Sequence, residues 1–127
     1  VAMTPHIDAL AAAGTRFTHA FASVASCSPS RATLLTGLRT HQCGQYGLAH
    51  ATHNAHSFAG VKSLPALLRP AGYRSAAVGK LHVQPKAVFP FDTEVTSNPR
   101  NPAAVAEAAR TFITADPANY DTVQKLQ

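Results

Sequence analysis

The stretch CSPSRATLLTG, residues 27–37, combines a nucleophile-type side chain, a helix start and a cation one turn later. Pro29 has no N–H and a preset φ, so it suits the first turn of a helix. Residues 30–36 then predict a helix, which Gly37 ends in the left-handed conformation. Cys27 is therefore expected at a helix N-terminus, where free N–H groups and the helix dipole favour negative charge.

Arg31 stands four residues after Cys27, which places the two side chains on the same helix face. A thiolate, an alkoxide or a bound oxyanion would be stabilised there, and the planar guanidinium suits an oxyanion. A tyrosine-phosphatase loop is excluded, because its Cys and Arg are separated by more than the three residues present here. A zinc ribbon or redox site needs paired Cys-x-x-Cys, but the other cysteine is Cys43. The alternatives are a buried cysteine beside an ordinary helix start and a Cys27–Cys43 disulfide.

A second candidate stretch, Gly79-Lys80-Leu81-His82, follows residues 73–78, which predict a short buried strand. Ligands in α/β folds gather at the carboxyl ends of strands. Lys80 and His82 are two residues apart, so in an extended chain their side chains point the same way. Together they can bind an anion and protonate a leaving group. Two solvated side chains at a strand end are the alternative.

The predicted loop over residues 38–60 is rich in histidine. Its histidines include three that recur every three residues and one that stands nearby: His50, His53, His56 and His41. One interpretation is a second metal site. The other is a loop whose histidines in part line a substrate pocket. We favour the second, because no carboxylate or cysteine partners these histidines.

The remaining sequence alternates predicted helices and strands. Thr4 is a candidate N-cap with Pro5 at the first helical position. Apolar periodicity and Gly, Pro and Asn punctuation predict helices over 5–13, 63–72 (capped by Ser63) and 102–115, a strand over 16–22 and a loop over 85–101. The alternation predicts an α/β fold with a mostly parallel, three-layer arrangement. The tail from Pro117 is predicted to be frayed.

Composition bounds the class of protein. The chain has 127 residues, 46% of them hydrophobic, which is enough for one small domain. The formal net charge is +5, but the Lys and Arg residues are scattered without a dense run or a helical stripe. We therefore expect no nucleic-acid partner. A binding site for acidic sugars would account for the positive net charge and needs only a few cations. No apolar run is long enough to span a bilayer and no signal peptide is recognisable, so no membrane association is predicted.

These stretches together resemble the sulfatase family, whose signature residues 27–37 carry and whose signature Cys is oxidised to formylglycine. The resemblance covers roughly residues 4–115 and includes the predicted helix at 4–10 and the predicted strand at 17–21. Four later stretches resemble the sulfamidase branch of the family: residues 41–48, 61–68, 79–83 and 89–92.

The resemblance implies an alkaline-phosphatase-like α/β/α domain that hydrolyses a sulfuric ester or a sulfamate. Cys27, as the formylglycine hydrate, would attack sulfur with one hydroxyl and release the amine or alcohol; deprotonation of the other hydroxyl would then expel sulfate. Arg31 would hold the hydrate, while Lys80 and His82 would bind sulfate, offset transition-state charge and assist the leaving group. His41 would be a further substrate contact. A calcium ion, or less favourably Mg²⁺, would coordinate the formylglycine and the sulfate.

The chain departs from the family pattern in its metal ligands. The Asp-Asp pair of a first strand and a later Asp-Asn pair do not occur in the sequence. A hard cation such as Ca²⁺ needs about six to eight oxygen ligands. The acidic residues form no compact cluster in sequence: Asp8, Asp92, Glu94, Glu107, Asp116 and Asp121. We therefore expect residues 1–127 to be an internal part of a sulfatase catalytic domain, lacking the first strand and the C-terminal portion and inactive alone, with Cys27 as its metal-contacting residue.

The predicted function is release of sulfate from N-sulfoglucosamine in heparan-type glycans, with a formylglycine-generating enzyme as the partner that modifies Cys27. Two alternatives stay open: an aryl or O-sulfate ester sulfatase, and a non-catalytic, anion-binding remnant of one. A leader sequence upstream would direct the protein to the periplasm, a lysosome-type compartment or the exterior, and without one it would be cytoplasmic. The sequence predicts no oligomeric state.

Overall fold

A computed structural model of the chain describes residues 3–95 and 100–115. Within these ranges the helices and strands follow in the order α1 (Pro5–Ala13), α2 (Cys27–Thr36), α3 (Thr40–Cys43), α4 (Leu64–Leu68), β1 (Ala76–Val78), β2 (Thr93–Val95) and α5 (Pro102–Thr114). Short 3-10 turns follow α4 and precede β2. Helices combined with a parallel sheet confirm the predicted α/β class. The tail predicted to fray from Pro117 lies outside the described residues.

The sheet consists of β1 and β2, which pair in parallel with Ala76 opposite Thr93. Strand β1 is the second half of the strand predicted over residues 73–78. Strand β2 corrects the prediction of a loop over 85–101. Its β-branched residues suit a strand, although the Pro and Asn residues around them predict a loop. Its partner strand, β1, is remote in sequence, so the local pattern of Pro and Asn residues does not reveal the pairing.

A small apolar core lies where α2, α3 and the segment after β1 meet. The buried side chains that form it are Ala32, Cys43, Val83, Val88 and Phe89. Phe89 is the largest and is 1% exposed. Burial of such a side chain contributes about 2 kcal/mol. The core therefore holds the signature helix against the loop that follows β1.

The signature helix α2 begins earlier than predicted, at Cys27. Ser26 is the N-cap residue, and its carbonyl oxygen accepts from the Ser30 N–H at 3.0 Å. Pro29 is the third helical residue, where a missing N–H removes no intrahelical hydrogen bond. Gly37 ends the helix with φ 68° and ψ 7°. The predicted left-handed stop is therefore confirmed.

Gly37→Ala is expected to destabilise the protein by about 1 kcal/mol, because a residue with a Cβ is strained in the left-handed region. In the described part of the chain, no heavy atom beyond the chain neighbours lies within 4 Å of the added Cβ, so the cost is conformational. Chemical denaturation of the wild type and the variant measures it. Gly37→Asn is the matched variant and should lose less, since Asn tolerates this region. Equal losses for Ala and Asn would contradict the conformational explanation.

The first helix has the predicted start, with Thr4 as N-cap residue and Pro5 as the first helical residue.

The strand predicted over residues 16–22 is wrong, since this segment is irregular. Its aromatic side chains are exposed, Phe17 at 78% and Phe21 at 90%. A strand needs a neighbour for its backbone groups, and within the described residues no strand pairs with this segment.

The helix predicted over residues 63–72 is α4 and the 3-10 turn after it, and Gly72 ends them at φ 85°. Ser63 occupies the N-cap position, but its side chain makes no capping hydrogen bond. Its Oγ donates instead to the Val88 carbonyl oxygen at 2.5 Å. The predicted N-cap position is therefore confirmed, but the side chain does not cap the helix, because the buried hydroxyl ties α4 to the core. The predicted loop over 38–60 contains one short helix, α3, which the prediction missed.

The last helix, α5, starts where the sequence predicts. Asn101 caps it, and its Oδ1 accepts from the Ala104 N–H at 3.2 Å. The helix packs against β1, and the guanidinium of Arg74 lies 5.9 Å from the ring centroid of Phe112.

No helix within residues 3–95 and 100–115 has the length and apolar content that crossing a membrane requires.

Candidate functional site

Arg31 and Lys80 meet although 49 residues separate them. A guanidinium N–H of Arg31 donates to the carbonyl oxygen of Lys80. Arg31 is partly buried one turn after Cys27, the first residue of α2, whereas Lys80 is exposed. This hydrogen bond joins the first turns of α2 to the loop that follows β1. Two of the stretches for which the sequence predicts a chemical role, residues 27–37 and 79–82, therefore lie side by side.

The loop after β1 turns sharply. Gly79 has φ 88° and His82 has φ 57°, while the Gly79 N–H donates to the carbonyl oxygen of Val95 at 3.0 Å. The extended-chain argument for Lys80 and His82 is therefore wrong, although both residues do follow the carboxyl end of β1. A histidine with positive φ is uncommon, and the ring of His82 contacts the ring of His50.

The His82 ring stacks on the ring of His50, with centroids 4.6 Å apart and 23° between the planes. Nδ1 of His50 lies 2.5 Å from Nε2 of His82. Nδ1 of His82 is buried and has no hydrogen-bond partner among the described residues. His50 comes from residues 47–56, which we call the histidine loop. Nowhere in 3–95 or 100–115 do three or more His, Cys, Asp or Glu side chains group closely enough to hold a metal ion.

The surroundings of His82 disfavour its charged form. Burial lowers the pKa of His82 below 6.5, and Lys80, His50 and Arg31 lower it further by electrostatic repulsion. All these neighbours act in the same direction, because each disfavours another positive charge beside it. His82 is therefore neutral at neutral pH and can accept a proton there.

Acidification is expected to destabilise the protein through His82. Below 6.5 the unfolded chain binds a proton that the folded protein still excludes, so stability falls until the lowered pKa of the folded state is passed. His82→Asn removes this titration with a residue that tolerates positive φ. The Tm advantage of the wild type over the variant should shrink between about pH 7 and about pH 5. A growing advantage would contradict the assigned direction.

A cavity of about 370 Å³ opens beside the two histidines. The loop after β1, strand β2 and the histidine loop all contribute to its lining. Its charged lining residues are Lys86 and Glu94, which form an ion pair at 3.1 Å. Apolar side chains such as Leu81 and Val95 complete the wall. His82 therefore borders a space with both polar and apolar surfaces.

Cys27 is a partly exposed free thiol at the N-terminus of α2. Cys43 is also free, but it is fully buried on α3, where its Sγ donates to the Thr40 carbonyl oxygen at 3.8 Å. The disulfide alternative is therefore not realised. The alternative of a buried structural cysteine describes Cys43, while the position of Cys27 leaves its side chain accessible.

The structure does not join His41 to the other predicted site residues. His41 is exposed on α3, and its carbonyl oxygen accepts from the Tyr46 hydroxyl at 3.3 Å. Among the described residues no hydrogen bond links its ring to Arg31 or His82. A substrate contact by His41 stays a prediction.

Sequence reasoning missed two contacts of this arrangement. The spacing of histidines marked the histidine loop but not the pairing of His50 with His82. Ser28, the second residue of α2, is fully buried, and its Oγ accepts from the Ala49 N–H at 3.1 Å. Both contacts join segments more than twenty residues apart, so local patterns carry no signal for them.

Comparison with known proteins agrees with the signature. The family model described as Sulfatase matches residues 1–124. Human N-sulphoglucosamine sulphohydrolase is 56% identical over 93 residues, which cover 73% of this chain and 18% of that protein. The N-acetylgalactosamine-6-O-sulfatase of Bacteroides thetaiotaomicron is 36% identical over 97 residues, 75% of this chain and 19% of that protein. Its N-acetylglucosamine-6-O-sulfatase is 41% identical over 81 residues, 63% of this chain and 13% of that protein.

The chain thus spans less than a fifth of the length of these relatives. The family match nevertheless covers almost all of the chain, including the signature at residues 27–37 and the loop at 79–82. The resemblance inferred from the sequence is confirmed: this chain belongs to the sulfatase family.

Proposed function

We propose that this chain supplies part of the active site of a sulfohydrolase that removes sulfate from N-sulfoglucosamine in heparan-type glycans. The observation that carries the proposal is the hydrogen bond from Arg31 to the Lys80 carbonyl oxygen. It brings a helix N-terminus and a guanidinium beside the loop that carries Lys80, in a chain of the sulfatase family. These are groups that bind a sulfate oxyanion.

Arg31 and Lys80 neutralise the charge of the sulfate group. The contact with the Lys80 carbonyl uses only part of the donor capacity of the Arg31 guanidinium and fixes its plane. The other N–H groups are left to donate to sulfate oxygens. Lys80 adds a compact, exposed positive charge. Fixed donors of this kind stabilise charge that develops on oxygen in the transition state.

Cys27 is the precursor of the nucleophile. Oxidised to formylglycine by a formylglycine-generating enzyme, it would provide a hydrated aldehyde whose hydroxyl is the attacking group. Cys27 suits this role because, as the first residue of α2, it lies beside the free N–H groups of a helix start. Its partial exposure gives a substrate access to it.

His82 is the source of the proton that the leaving group takes up. Cleavage of a sulfur–nitrogen bond requires that the nitrogen leaves as an amine, so a proton must be supplied. His82 is neutral at neutral pH, because burial and the neighbouring cations lower its pKa. A proton that it takes up during reaction is therefore readily passed on. Electrostatic repulsion by Lys80 and Arg31 favours that transfer.

Calcium is the cofactor that membership of the family suggests, with magnesium as the second choice. The described carboxylates do not fit it by themselves, because each is hydrogen-bonded elsewhere: Asp8 to Thr4, Asp92 to Arg69 and Ser75, Glu94 to Lys86, and Glu107 to Arg110. A hard cation needs about six or more oxygen ligands. The roles assigned to Arg31, Lys80 and His82 do not depend on the ion.

The choice of an N-sulfated substrate rests on relative similarity. Identity to the human N-sulphoglucosamine sulphohydrolase exceeds identity to the two bacterial O-sulfatases. An aryl or O-sulfate ester is the alternative substrate, and its alcohol leaving group depends less on protonation. The two classes are therefore separable by kinetics.

The complete encoded polypeptide, co-expressed with a formylglycine-generating enzyme, tests the proposal on N-sulfoglucosamine, glucosamine 6-O-sulfate and 4-nitrophenyl sulfate. Sulfate release is measured by ion chromatography. We expect kcat/KM to be at least about 10²-fold higher for N-sulfoglucosamine, because a site that protonates nitrogen is built for that bond. Preference for either ester would replace the substrate assignment. No release from any substrate, with sulfate still bound, would favour the anion-binding alternative.

A further inference from the structure

The histidine loop, residues 47–56, is closed by one buried amide. Gln45 is fully buried, and its Nε2 donates to the carbonyl oxygens of Gly47 at 2.9 Å and Ala55 at 2.5 Å. Its Oε1 accepts from the Ser57 hydroxyl at 3.4 Å. A buried amide with these partners fixes the two ends of the loop relative to each other. The loop therefore has one defined path.

The helix that begins at Cys27 fixes where this loop presents His50. Ser28 Oγ accepts from the backbone N–H of Ala49, the residue that precedes His50. Because Ser28 is fully buried, this contact is shielded from water. From that position the His50 ring stacks on His82. The same helix therefore positions the proposed nucleophile and the histidine pair.

The contact between the two rings holds one hydrogen. Nδ1 of His50 and Nε2 of His82 are 2.5 Å apart. Two unprotonated nitrogens at this distance would repel each other, and two N–H groups would collide. One of the two nitrogens therefore donates to the other. The protonation states of the rings are coupled through this hydrogen.

The hydrogen-bond partner of the His82 ring among the described residues is His50. Its Nδ1 is buried without a partner, and its Nε2 faces His50. His50 itself is exposed. The His50 ring is therefore a hydrogen-bonded route for a proton between His82 and the outside.

We propose that His50 is a proton-transfer residue, the outer member of a two-histidine relay through which His82 takes up and releases protons. The catalytic consequence rests on the proposed function, whereas the relay itself does not. In uptake, a proton bonds to Nε2 of His50 while the Nδ1 hydrogen of His50 passes to Nε2 of His82. Release reverses both transfers, and the Nε2 hydrogen of His50 goes to the leaving nitrogen or to water. One N–H bond breaks and two form in uptake, so the pair gains one proton.

The charges around the pair disfavour a positive charge on His82. Lys80, on the same loop as His82, and Arg31, on α2, are cations that act on His82. Lys86 and Glu94 line the adjacent cavity and offset each other as an ion pair. A doubly charged pair would therefore meet two uncompensated cations at close range.

The test separates proton transfer from simple support of the His82 ring. In His50→Ala the hydrogen bond and the titrating group are both lost. In His50→Asn an amide stands near the place of Nδ1, so the hydrogen bond is retained while the relay is not. In the complete encoded polypeptide, both variants should lower kcat for N-sulfoglucosamine about 10- to 100-fold with KM changed less than about threefold. Added imidazole should restore His50→Ala in a saturable manner. His6→Ala, an exposed histidine on α1, is the matched control and should match the wild type.

A second readout does not depend on activity. Ring ¹⁵N signals of the two histidines are followed by NMR from about pH 8 to about pH 5 in the wild type and in His50→Asn. In the wild type both rings should shift together in the first titration step. In His50→Asn the His82 titration should move to higher pH, because the repulsion from His50 is removed.

Three results would overturn the relay. Full activity of His50→Asn would reduce His50 to a support for the ring. Wild-type rates in His50→Ala would remove it from catalysis altogether. Independent titration of the two rings would show that they share no proton. A wild type that releases no sulfate refutes the proposed function, and the NMR titration then decides the relay by itself.

Discussion

Replacing Cys27 by Ala is expected to abolish sulfate release, with kcat reduced on the order of 10⁴-fold or more. The substitution removes the proposed precursor of the nucleophile and leaves Arg31 and Lys80 in place. Binding of intact N-sulfoglucosamine should therefore persist, with Kd changed less than about threefold, because the cations carry the binding. Single-turnover kinetics and calorimetric titration measure the two quantities.

The other cysteine provides the matched control. Cys43, the last residue of α3, is free and fully buried in the core. Cys43→Ala should lower Tm through the cavity it leaves, while the rate per folded molecule stays at the wild-type level. If Cys27→Ala kept its activity, or if Cys43→Ala lost as much, Cys27 would have no special chemical role.

Arg31→Lys is expected to lower kcat/KM by about 10²-fold or more, despite the retained charge. Arg31 donates to the Lys80 carbonyl oxygen, and in the proposed function its further N–H groups donate to sulfate. A lysine ammonium is a point charge on a flexible stem and cannot reproduce this fork. The loop that carries Lys80 and His82 would also lose its tie to α2. Steady-state kinetics on N-sulfoglucosamine measure the effect.

Arg110 offers the same substitution away from the site. It lies on α5 and contacts Glu107 twice, at 2.9 Å and 2.6 Å. Because both side chains are largely exposed, Arg110→Lys should change kcat/KM by less than about twofold and stability only slightly. Equal kinetic effects of the two substitutions would contradict an anion-binding role for Arg31.

The features that the sequence predicts well are those set by neighbours in the chain. Helix α2 depends on Pro29 in its first turn and on Gly37 at its end, and both act within a few residues. Helix α5 likewise depends on Asn101, whose side chain caps the N-terminus three residues on. Such signals need no tertiary contact. The signature helix and the place of Cys27 at its N-terminus therefore follow from the sequence.

Strand assignments fail where the partner strand decides the outcome. Residues 16–22 have a strand-like composition, yet within the described residues no strand pairs with them. Residues 93–95 stand in a Pro- and Asn-rich stretch, yet they pair with β1. Ser63 has the type and position of a helix cap, but the buried carbonyl of Val88 takes its hydroxyl. In each case a long-range contact outweighs the local preference.

The candidate site shows the same division. The rule that ligand-binding residues follow the carboxyl ends of strands placed Lys80 and His82 correctly after β1. The positive φ of His82 and its stacking on His50 were not predictable, because they depend on how the histidine loop folds over. That path is set by Gln45 and by the bond from Ala49 to Ser28. Neither contact has a signature in sequence.

The most direct test of the central assignment is the mass of the peptide that contains Cys27, from the complete encoded polypeptide co-expressed with a formylglycine-generating enzyme. Exchange of sulfur for oxygen with loss of two hydrogens should lower its mass by about 18 Da, outside the ordinary oxidation ladder of a thiol. The peptide that contains Cys43 should keep the mass of an unmodified cysteine. An unmodified Cys27, in the presence of an enzyme shown to be active on a known substrate, would contradict the assignment of Cys27 as the nucleophile precursor.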